Sequence, residues 1–103
     1  MVSVVIYLKK NGFAEPLAKQ LVASGLVASA SIDVDNYHFV KEVDEVIKTV
    51  QTVITLQSKA MLFSEIEQFV EDFCREKVPI YTTPIAQTDQ RFHQFILENT
   101  TKI

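Results

Sequence analysis

The stretch LVASGLVASASI, residues 21–32, decides the fold. Its first half ends an amphipathic helix, because Phe13, Leu17 and Leu21 recur at helical spacing. Gly25 stands just past the last turn, where a left-handed residue closes a helix and glycine has no Cβ to obstruct it. From Ala28 the chain re-enters as a strand that runs toward Val40. A second strand–helix–strand unit follows. The order is β-α-β-β-α-β with a last helix, an α+β arrangement of one sheet covered by helices.

Working outward, Val2, Val4, Ile6 and Leu8 alternate with Ser3, Val5, Tyr7 and Lys9. Both faces are largely apolar, which predicts a central strand covered on at least one side. Asn11-Gly12 ends it, and Pro16 is tolerated in the first helical turn. The third strand covers about 46–57, with Val46, Val50, Ile54 and Leu56 on one face. The polar residues 41–45 read as a hairpin tip. Strands this long exceed the usual five or six residues, so the β2–β3 hairpin overshoots its sheet. Its free edge must be paired, covered or charged. Pairing with another subunit is the economical solution.

Ser58 is the candidate N-cap of the second helix. Phe63, Ile66, Val70 and Phe73 form its apolar stripe, with Glu65, Glu67, Glu71 and Asp72 on the polar side. Val78-Pro79 ends it, since a residue before proline avoids helical angles. A short strand at 80–83 follows, with Pro84 suited to a sheet edge. A last helix over about 89–99 is expected to bury Phe92, Phe95 and Ile96.

The 103 residues suit a single domain, 1–103, with one core. No apolar run approaches the roughly 20 residues that span a bilayer. The apolar start lacks a basic flank and a cleavage site, so it reads as a strand and not as a signal peptide. A net charge of −3 with scattered basic residues gives no clustered face for nucleic acid. Single Cys74 precludes an internal disulfide and points to the cytoplasm.

No catalytic constellation stands out, and an enzyme is the least expected class. Ser29 and Ser31 have no His-Asp partners nearby in the sequence. One Cys and two His cannot supply zinc's four ligands within one chain. Asp33 and Asp35 share a strand face while His38 points to the other, unless a bulge shifts the register. Cys74, four residues after Val70, reads as core, His93 as surface, and the acidic helix face as solvated. The remaining candidates are cationic. Lys9 and Lys10 precede a helix N-terminus, and Arg75 and Lys77 follow the second helix. These four are the candidate lining of a cleft for a small anion. No cofactor is expected.

These residues resemble the CutA divalent-cation-tolerance family over nearly the whole chain. Residues 26–32, LVASASI, occupy the place of the family's Leu-Ala-Ala-Cys-Val-Asn-Ile. Residues 53–59 and the helix after them are similar to its third strand and second helix, and Val78-Pro79 falls where its His-Pro-Tyr-Glu-Val-Pro ends. Thr82-Thr83-Pro84-Ile85, then a helix with Phe92 and Phe95, resembles its Ala-Leu-Pro-Val and aromatic last helix. Ser29 stands at the family's cysteine, Ser31 at its asparagine and Cys74-Arg75-Glu76-Lys77 at its His-Pro-Tyr-Glu, and the chain has no Trp. The copper-related residues therefore do not carry over. The resemblance implies a ferredoxin-like sandwich, a homotrimer through the long strands, and a binding or regulatory role tied in the family to divalent-cation tolerance. Two rivals stand beside it: a PII-like sensor that binds a nucleotide or other small anion between subunits, and a ligand-free assembly scaffold.

Overall fold

A computed structural model describes residues 1–9 and 13–101. The elements are β1 (Val2–Lys9), α1 (Ala14–Ala23), β2 (Ser29–Glu42), β3 (Glu45–Ser58), α2 (Phe63–Cys74), β4 (Ile80–Pro84) and α3 (Gln90–Glu98). A 3₁₀ turn, Ala60–Leu62, leads into α2. The sheet order is β2-β3-β1-β4, with every neighbouring pair antiparallel. This is the ferredoxin-like α+β sandwich that the sequence predicts.

The alternation in β1 explains the layering. Val2, Val4, Ile6 and Leu8 are buried under the helices, and Ser3, Val5 and Tyr7 are half-buried on the open face. Their even-numbered partners in β3, Thr52, Ile54, Leu56 and Ser58, are buried on the same side. Leu17 and Leu21 of α1 and Ile66 and Val70 of α2 close the core from above. Each such aliphatic burial contributes about 1.5–3 kcal/mol.

The stretch 21–32 is also the junction of the fold. Gly25 has φ +79°, the left-handed closure expected of it. Its carbonyl accepts the Thr101 N–H at 2.8 Å, which ties the C-terminal segment to the end of α1. Leu26 offers its carbonyl to Ser58 Oγ at 2.6 Å, and Ala28 N–H donates to Gln57 O at 2.8 Å.

Four readings need correction. Ser58 is not a helix cap: it is the buried last residue of β3, its hydroxyl already committed to Leu26, and the 3₁₀ turn displaces the start of α2 to Phe63. The hairpin tip is tighter than 41–45, because Glu42 pairs with Glu45 and only Val43 and Asp44 turn. The last helix buries Ile96 alone, leaving Phe92 half-buried and Phe95 exposed among the described residues.

The fourth correction concerns His38. The β2–β3 register slips between Asp33, opposite Val53, and Asn36, opposite Gln51, and Asp35 takes φ +57° there. The extra residue is a β-bulge, and it exchanges the faces of β2. Before it, Ala30 and Ile32 lie with Leu56 and Ile54 on the helix side. After it, Tyr37 and Phe39 take that side, opposite Val50 and Lys48. His38 therefore shares the open face with Asp33, not the opposite one.

Candidate functional site

The ribbon is the first feature that sets up function. Among the described residues β1 pairs with β3 over 51–58, and residues 36–50 of β2 and β3 run on as a two-stranded ribbon. On its helix side Tyr37, Phe39 and Val46 are all at least 60% exposed, continuous with half-buried Val50. Lys48 Nζ lies 4.1 Å from the centre of the Tyr37 ring. At the tip Val43 is 92% exposed with φ +54°, a strained conformation for a β-branched side chain. β2 is also a sheet edge. Beside it, a shallow apolar groove runs between α1 and β2, lined by Ala18, Val22, Ala23, Ala30 and Ile32 with Glu15 and Lys19 at its rim.

The open sheet face carries an aromatic cluster. Tyr7 and His38 have ring centres 6.0 Å apart, and Tyr7 and Tyr81 6.1 Å apart. The two tyrosine hydroxyls are 3.5 Å apart. The Tyr7 phenol is raised above its ordinary value, first by that shared hydrogen bond, then by burial and the charge of Tyr81. Nearby on the same face, Gln51 Oε1 is buried with no hydrogen-bond partner among the described residues. The sequence hid this cluster because Tyr7, His38 and Tyr81 sit on three strands, and only the bulge turns His38 toward the other two.

Of the four candidate cations, Lys9, Arg75 and Lys77 are described, Lys9 on β1 and the other two in the segment between α2 and β4. Lys9 ends β1 opposite Gln51. Arg75 follows α2 with φ +58°, turning the chain back toward β4. Lys77 alone of these lines the cleft between α2 and β4, with Glu67, Val70, Glu71, Val78 and Ile80. Lys10, Asn11 and Gly12 lie outside the described residues.

Among the described residues, no three His, Cys, Asp or Glu side chains gather where they could hold a metal ion. Ser29, at the cysteine position of the CutA pattern, donates its hydroxyl to Gln57 Oε1. Cys74 is partly buried against the core, and burial, then the charge of Glu76, pushes its thiol above the ordinary range. His93 is exposed, as expected. No helix among the described residues is long and apolar enough to cross a membrane.

No family model and no curated protein matches the chain. Solved structures do. A divalent cation tolerance protein, CutA1, from Thermus thermophilus superposes with a TM-score of 0.86 at 21% identity, over 98% of this chain and 100% of that one. CutA1 from Oryza sativa gives 0.88 at 12% identity, over 99% and 94%. The chain has the CutA1 fold. A third such structure, described as a periplasmic divalent cation tolerance protein CutA from Archaeoglobus fulgidus, gives 0.83 at 20% identity, over 96% and 98%. The resemblance read from residues 26–32 and 78–85 thus holds at the level of the CutA1 fold.

Proposed function

We propose that this chain is a diverged CutA family member that works as a homotrimer, with a binding or regulatory role and no catalytic one. The observation that carries the reading is the ribbon. A two-stranded ribbon is at best marginally stable alone in water, and this one exposes Tyr37, Phe39 and Val46 on one side. The unpaired β2 edge and its apolar groove add to the surface awaiting a partner. Copies of the same chain are the economical occupant, and the number three comes from the family resemblance. Obligate interfaces of this kind commonly bury roughly 2,000 Å² or more.

The divalent-cation tolerance that names the structural neighbours is part of the proposal only as a regulatory association. It does not run through a tight copper or zinc site, because Ser29 replaces the cysteine and Cys74 resists ionisation. A cytoplasmic setting belongs to the same proposal and rests on the lone Cys74. The PII-like anion sensor is the second reading, and the cations it would draw on between subunits, Lys9, Arg75 and Lys77, are exposed. Sedimentation at micromolar concentration tests the assembly, and calorimetric titration with copper and zinc tests the metal clause. The expected results are a trimer and no stoichiometric binding tighter than about micromolar. A stable monomer, or one tightly held metal per trimer, would overturn the corresponding part.

A further inference from the structure

The cleft between α2 and β4 has a chemistry of its own. Its floor is apolar: Val70, 1% exposed, with half-buried Val78 and Ile80. One wall carries Glu67 and Glu71, one helical turn apart. Lys77 arrives from the loop beyond the left-handed Arg75. Among the described residues the one ion pair within 4.0 Å is Lys19–Glu15, so Lys77 pairs with neither glutamate. Two carboxylates one turn apart repel each other. The arrangement leaves both signs of charge separately available around one cavity of about 250 Å³.

We infer that this cleft binds a small zwitterion, an α-amino acid with an aliphatic side chain. The ammonium of the ligand meets Glu67 and Glu71, its carboxylate meets Lys77, and its side chain covers Val70, Val78 and Ile80. Competing ligands fit less well. A simple anion faces two carboxylates. A divalent cation faces the Lys77 ammonium and too few oxygen ligands. A nucleotide is too large, since the volume falls below the roughly 300–1,000 Å³ of drug-sized sites.

The test is titration of the full chain with L-leucine, followed by amide chemical shifts. Two analogues run in parallel: 4-methylpentanoate, which lacks the amine, and 3-methylbutylamine, which lacks the carboxylate. Leucine should give saturable shifts at Val70, Glu71, Lys77 and Val78 by about 10 mM, and each analogue should bind about tenfold more weakly or worse. Lys77→Gln should weaken leucine and leave the amine unchanged. Glu71→Gln should weaken leucine and the amine and leave 4-methylpentanoate no weaker. Both positions reach solvent, and unchanged melting of the variants would confirm that they fold. No saturable shift with leucine, shifts confined to another surface, or equal binding of all three compounds would overturn the inference.

Discussion

The two halves of β3 carry apolar residues on one face and meet different fates. In residues 51–58 every second side chain, Thr52, Ile54, Leu56 and Ser58, is buried under α1 and α2. In residues 45–50 the same side carries Val46, Lys48 and Val50, and Val46 is 70% exposed. The difference lies in what stands beside the strand. Among the described residues β1 pairs with β3 no further than Gln51, and beyond it β3 is paired with β2 alone. Apolar alternation states that a face is to be covered. It does not state by what.

That contrast can be broken by substitution. Ile54→Ala removes fully buried methyl groups and should cost about 2–5 kcal/mol, a large part of the roughly 5–15 kcal/mol that holds a domain together. Urea unfolding should show the loss at every protein concentration. Val46→Lys should instead leave the fold of the subunit intact and act only through assembly, so that its effect on melting depends on concentration. Equal, concentration-independent losses at both sites would erase the distinction between the two halves.

Gly25→Ala probes the junction that anchors the body. A Cβ there would sit at φ +79° and 3.2 Å from Thr101 Oγ1. The left-handed backbone alone costs about 1–2 kcal/mol for a residue with a Cβ, and the contact should loosen the Thr101 tie. Chemical denaturation checks the loss, and increased hydrogen exchange at the Thr101 amide checks its cause.

The ribbon tip should respond in the opposite direction. Val43→Gly relieves a β-branched residue from φ +54° at a position 92% exposed, and should stabilise the turn by about 1 kcal/mol. Unfolding midpoints of the two proteins under matched conditions decide this. A destabilised variant would mean that Val43 is already held by contacts of the assembly.

How far this was legible follows from the physics of each element. The alternation of β1, the stop at Gly25 and the overshooting hairpin could be read because each is written in local pattern. The bulge could not, since Val34, Asp35 and Asn36 include no glycine to announce a left-handed residue. Period-two alternation alone places His38 opposite Asp33, and the bulge brings it to Tyr7. The cleft between α2 and β4 was equally silent. Its glutamates lie on a helix face and its lysine in the loop beyond Arg75, whose left-handed φ no glycine announces. Ser58 and Phe95 were misread for a simpler reason: cap and core signals are residue types, and burial depends on what packs against them.

Cys74 yields the smallest expected effect. Burial and then Glu76 raise the folded thiol above its unfolded value, so the neutral form is the one favoured by folding. The small stabilisation from this group is complete below the unfolded value and is lost as pH rises through the folded one. A thiol reagent at mildly alkaline pH should label native protein slowly and unfolded protein fast. Rapid native labelling would show that the end of α2 opens.

The most direct measurement is sedimentation equilibrium at micromolar concentration, on the wild-type chain and on Val46→Lys. The account predicts three times 11.7 kDa for the first, and a folded subunit of 11.7 kDa with unchanged circular dichroism for the second. A wild-type chain that sediments as a stable monomer would contradict it.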